Sequence, residues 1–154
     1  MKFAKIGIIL LLMAILVVSG CSDSKENPEE VSEIAVDLGV DVISTSFDDL
    51  GVVYCDPDIS DDEIAALVNE EYKGNFVQWT GTIYAVTNNG KSYTAQVRHC
   101  PDSLSDAAVT FKADQNDAAS NLIKGQEITY VGRITRYRDG GGGFWVEEAS
   151  IVSE

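Results

Sequence analysis

Histidine occurs once in these 154 residues, at His99, and cysteine three times, at Cys21, Cys55 and Cys100. A Ser-His-Asp arrangement would have to use His99 as its base. Cys100 stands next to it, but adjacent side chains seldom aim at one another, and a reactive thiol needs an electropositive setting. No CxxC or HxxxH spacing is present. Cys55, His99 and Cys100 offer three candidate zinc ligands, two of them adjacent, where a structural site takes four. We therefore expect no enzyme, no metal and no cofactor. Cations are also scarce, at 11 Lys/Arg against 25 Asp/Glu, for a net charge of −14. That balance argues against general binding to nucleic acid, which rests on many cation–phosphate contacts. Long apolar runs are few as well. The longest, Ile6–Val18, has 13 residues, short of the roughly 20 that span a bilayer.

What that run does have is the right flanks. Lys2 and Lys5 precede it, and Val18-Ser19-Gly20-Cys21 follows it. A positive start, an apolar stretch and a small-residue cleavage site make an export signal. The ending resembles the lipobox of prokaryotic lipoproteins. That resemblance implies diacylglycerol on the Cys21 thiol, cleavage after residue 20, and often a further acyl chain such as palmitate on the new N-terminus. Two chains anchor stably where one holds weakly. The expected location is the cell membrane or outer membrane, on its extracytoplasmic side. An uncleaved anchor or an ordinary secretory signal would also place the rest outside the cytoplasm.

Removal of residues 1–20 leaves 134, enough for one domain and a tail. Residues 21–73 hold 16 acids against Lys25 and Lys73, a net of −14; residues 74–154 hold nine acids against seven Lys/Arg, a net of −2. The asymmetry predicts an acidic solvated tether over 21–39 before a folded unit over 40–154. Outside the cytoplasm Cys55 and Cys100 can persist as a disulfide.

Within the folded part, 34–54 shows no sustained period. A short strand near 40–45 and a helical turn near 46–51 are expected. Residues 60–72 are clearer. Ser60 and Glu63 have the capping-box spacing, Asp61, Asp62 and Glu63 suit a helix N-terminus, and Ile64, Leu67, Val68 and Tyr72 share a face. Gly74 stands where the helix should end. The acids from Asp56 to Glu63 fail as an EF-hand loop, because the sixth and twelfth positions are Asp61 and Leu67 rather than Gly and Glu.

From residue 75 the period becomes two. Val77, Trp79, Gly81 and Ile83 alternate with Gln78, Thr80, Thr82 and Tyr84. Asn88 to Lys91 marks a hairpin. Tyr93, Ala95 and Val97 predict a second inward row, and Ala107, Val109 and Phe111 a third. Residues 114–124 predict a short helix closed by Gly125. Ile128, Tyr130, Gly132 and Ile134 form a fourth row. After a glycine turn at 139–143, Phe144–Val152 is the last strand, with a bulge near Glu147–Glu148.

Five strands with a helix between the third and fourth follow the order of an OB-fold, a five-stranded Greek-key barrel. The segments YKGNFVQWTGTIYAV (72–86), AVTFK (108–112), LIKGQEITYVGRITRY (122–137) and GFWVEEASIV (143–152) resemble the tRNA-anticodon-binding-like OB family. A Lys-Gly pair precedes strands one and four (Lys73-Gly74, Lys124-Gly125). A glycine interrupts each (Gly81, Gly132), where we expect it to permit strand bending. Ala149–Ile151 ends the last strand.

OB-folds that bind oligonucleotides use the face of their second and third strands. Here that face should carry Thr94, Gln96, Arg98, Ala108, Thr110 and Lys112, two cations and no aromatic for stacking. The better candidate is a rim at the last hairpin formed by Arg133, Arg136, Arg138 and Trp145, suited to a small anionic ligand or an acidic loop of an envelope protein. The expected function is a lipid-anchored, non-enzymatic binding module. A single-stranded nucleic-acid binder and a structural accessory of an envelope complex are the alternatives.

Overall fold

The structure is a computed structural model that describes residues 38–138 and 143–152. The expected signal segment, Cys21, the tether up to residue 37 and the tip of the glycine turn lie outside the described residues. Its sheet runs β1 (Val42–Ser44), β2 (Phe76–Asn88), β3 (Tyr93–Arg98), β4 (Ala107–Phe111), β5 (Glu127–Arg138) and β6 (Gly143–Val152). The strand order is β1-β2-β3-β4-β6-β5, and β2 pairs with β5 to close a barrel. β4 and β6 are parallel. This is the five-stranded OB barrel expected from the sequence, with β1 added in parallel beside the start of β2.

Alternation selects the interior. Val77, Trp79, Ile83, Ala95, Val97, Val109, Tyr130, Ile134, Phe144 and Val146 are all almost fully buried. The barrel glycines have a role beyond the bending expected of them, and Gly132 does sit where β5 shifts register against β6. Neither has a positive φ. A Cβ on Gly81 would lie 2.6 Å from Val97 Cγ1, and one on Gly132 would lie 2.5 Å from Val146 Cγ1. They supply room inside a narrow barrel, where a methyl group has no space.

The irregular segment before the barrel forms a cap. Helix α1 (Asp48–Tyr54) is longer than the single turn expected. Helix α2 (Asp61–Leu67) starts at Ser60 with a complete capping box and runs on as a π turn, Val68–Tyr72, so the predicted 60–72 helix changes its winding midway. Ile64, Val68 and Tyr72 face the core, and Gly74 takes φ +88° just after. At the other end of the barrel, a 3-10 turn (Ala113–Gln115) and helix α3 (Asn116–Ser120) close the opening. The expected bulge is present: Glu148 has φ +55°, and β6 shifts register against both neighbours. Among the described residues no helix is long and apolar enough to cross a membrane.

Candidate ligand-binding face and the capped barrel end

Parity along β6 turns Trp145 outward, because Phe144 and Val146 on either side are both fully buried. Register then sets its neighbours. Gln96, Ala108, Trp145 and Arg136 lie abreast across β3, β4, β6 and β5. The Arg136 guanidinium stacks over the Trp145 ring, 3.7 Å from its centroid. Arg138 and Arg98 are exposed at strand ends. Arg133 stands apart from this group, in an ion pair with Glu148 on the bulge. The four residues of the expected rim thus separate into a stacked pair (Arg136 and Trp145), an exposed cation (Arg138) and a neutralised one (Arg133).

Sequence reasoning counted aromatics on β3 and β4 only and found none. The structure brings two to the margins of that face. Trp145 arrives through the parallel β4–β6 pairing. Tyr84 arrives from β2, at the irregularity where β2 slips against β3, with Lys124 4.6 Å from its ring centroid. Three strand spacings separate β2 from β6, roughly 14 Å along the sheet. The face between them holds Arg98, Gln96, a Thr94–Thr110 hydroxyl pair at 3.0 Å and Ala108. The signal for Trp145 was its parity, but its partner strand could not be inferred without the barrel order.

A second constellation lies at the capped end. His99 belongs to a buried chain of hydrogen bonds rather than to a ligand set. Its Nδ1 pairs with Asp106, both side chains being 1% exposed, and its Nε2 lies 3.1 Å from the Tyr130 hydroxyl. Asp106 Oδ2 also accepts from the backbone N–H groups of His99 and Cys100 and from Ser103 Oγ. Burial alone would raise the Asp106 carboxyl. The hydrogen bond and charge of His99, with the Cys100 and His99 amides, outweigh it and hold the group below its usual value. Burial, then Asp106, pushes the Tyr130 hydroxyl well up. Burial, then Asp106 and Asp61, pushes Tyr54 up to about 12. Both hydroxyls therefore stay protonated. The His99 and Asp106 side chains are almost wholly buried. The hydrogen-bond chain fixes the β3–β4 loop.

Beside it, Cys55 and Cys100 are joined in a disulfide with Cα atoms 5.7 Å apart. That answers the sequence question of bridge, metal or free thiols in favour of the bridge. Phe47 stacks on His99 at 4.2 Å and meets Trp79 edge-on at 5.0 Å. Tyr54 leans on Phe144 at 4.8 Å. The Trp79 indole N–H donates to Ser44 Oγ at 3.0 Å, tying β1 to the barrel floor. The barrel end at this hairpin is therefore plugged, and the accessible part of the candidate site is its outer face.

The tRNA_anti-like family model matches residues 1–141 of the chain. No curated protein matches it. Among solved structures, it is similar to a Klebsiella pneumoniae protein to which nucleic-acid binding and lipoprotein character have been ascribed, at 18% identity and TM-score 0.47, covering 82% of this chain and 98% of that one. It is also similar to asparaginyl-tRNA synthetase from Pyrococcus horikoshii, at 19% identity and TM-score 0.41, over 54% of this chain and 21% of the synthetase. The Stn1-Ten1 complex of S. pombe gives 16% identity and TM-score 0.39, over 51% of this chain and 59% of that one. The chain thus spans about a fifth of the length of the synthetase it resembles.

Proposed function

The chain belongs to the tRNA_anti-like family of OB-fold domains, and on that premise we propose a non-catalytic binding module, exported, held at a membrane by lipid on Cys21, that takes an anionic ligand or an acidic partner loop on its outer face. The stacked Arg136–Trp145 pair is the observation that carries this reading. A guanidinium held over an indole loses little further entropy when its N–H fork meets a carboxylate or phosphate. Arg98 and Arg138 add positive charge locally, on a protein whose net charge is −14. Such contrast steers an anion to one place and keeps it from others.

A second reading has its own support. Tyr84 and Trp145 flank the strand face that oligonucleotide-binding OB-folds use, and flanking aromatics suit stacked bases. One titration separates the two. The native protein is titrated at low and physiological salt with an acidic peptide and with a thymidine oligonucleotide, alongside the double variant Arg136→Ala, Arg138→Ala. The first reading expects peptide binding that falls at least tenfold in the variant. Oligonucleotide binding with a steep salt dependence would decide for the second. Binding of neither at low salt would remove the face from consideration. For the anchor, Cys21→Ala should move the protein out of the membrane fraction or leave it unprocessed, and unchanged fractionation and mobility would refute lipidation.

A further inference from the structure

The two sulfur-bearing residues of the disulfide are not equivalent. Cys55 is exposed, while Cys100 is 6% exposed. The bond joins segments 45 residues apart, the end of α1 and the loop after β3. Disulfides reachable from solvent are the labile ones. The cap they secure makes few interactions within itself and is held on the barrel by the burial of Phe47 and Leu50 and by the Trp79–Ser44 hydrogen bond. α1 has seven residues, a single side-chain hydrogen bond at its N-terminus (the Asp48 amide to Ser46 Oγ at 3.1 Å) and no basic residue in its last turn. Isolated helices that short do not persist in water. The barrel, by contrast, closes through the β2–β5 and β5–β6 ladders and the Asp106 network, none of which uses a cap residue.

We propose that Cys55–Cys100 is a reducible latch, and that a dithiol reductant acting at Cys55 releases α1 to uncover the aromatic end of the barrel. A thiolate of the dithiol attacks the Cys55 sulfur, forming a mixed disulfide. The Cys55–Cys100 bond breaks, and Cys100 departs as a thiolate that takes up a proton. The second thiol of the reductant then attacks the mixed disulfide, leaving Cys55 as a thiol and the reductant as a disulfide. Two electrons pass to the protein. Asp56 and Asp58, exposed just after Cys55, repel any attacking thiolate, and they repel least a reductant that carries no further negative charge. Lifting α1 removes Phe47 and Tyr54 from Trp79, His99 and Phe144. The surface so opened lies on the inner face of the same strand ends that carry the arginines outside, since Phe144 and Tyr137 alternate with Trp145, Arg136 and Arg138 along β6 and β5. A sub-global opening of this kind needs only the cap to be the weaker unit.

The test is hydrogen exchange on the full chain, with and without dithiothreitol in native buffer, together with thiol labelling. After reduction, both thiols label, amides of 47–55 lose at least tenfold protection, and β2, β5 and β6 keep theirs. Four results overturn the latch. The bond resists dithiothreitol without denaturant; the reduced cap keeps its protection; cap and barrel lose protection together; or the variant Cys55→Ser, Cys100→Ser does not fold into a protected barrel.

Discussion

The two ends of the barrel are closed by different means. At the hairpin end, a segment from far upstream supplies Phe47, Leu50 and Tyr54, a disulfide crosses to the β3–β4 loop, and a buried Asp106–His99–Tyr130 chain lies beneath. At the opposite end, the short connection between β4 and β5 lays Ala119 into the opening, aided by Gln115, whose Oε1 accepts from the Ile151 amide at 3.1 Å. The local plug carries less closure entropy and is held by Ala119, the partly buried Leu122 and a few hydrogen bonds, with no covalent tie. The distant plug must offset a long loop and does so with aromatic burial and a covalent tie.

If the contrast is real, damage at the hairpin end costs more. Asp106→Ala strands two backbone amides, Ser103 and the His99 ring, and should lower stability by about 3–5 kcal/mol. Ala119→Gly at the other end should cost about 1–2 kcal/mol, from helix propensity and one buried methyl. Urea midpoints of the two variants measure the gap, and equal losses would erase the distinction. Acid sharpens it further. The folded Asp106 carboxyl titrates below its unfolded value, so its contribution is complete above about pH 4 and disappears as pH falls through the folded value. Urea midpoints from pH 5 to pH 2 should fall more steeply in the parent than in Asp106→Asn. The smallest effect concerns the cap's second helix. Ser60→Ala removes the capping box and should cost about 1 kcal/mol, felt in α2 exchange before the barrel.

Much of the barrel was legible because apolar and polar residues alternate within each strand from Val77 to Val152, and the turns before β3, β5 and β6 carry glycine (Gly90, Gly125 and Gly140–Gly143). The capping box at Ser60–Glu63 was equally plain, since both members lie three residues apart. The cap was less so. Residues 42–55 follow the shape of the barrel mouth rather than a period, and their burial comes from Trp79, His99 and Phe144, all remote in sequence. His99 was underestimated for the same reason. Its partners are seven and 31 residues away, and nothing in HCPDSLS shows that Asp106 turns back to collect two amides. The rim was half visible. Trp145's outward parity could be read, but the separation of Arg133 by Glu148 depends on a bulge whose direction no pattern encodes.

The disulfide also governs how the domain bears load. A pull on the chain ahead of residue 38 first meets β1, three residues lying parallel to β2 and pinned by the Trp79–Ser44 hydrogen bond. Traction then runs down α1 to Cys55 and crosses the sulfur bridge into the loop that Asp106 anchors. While the bridge is intact, tension is handed at residue 55 to Cys100, and α2 is bypassed.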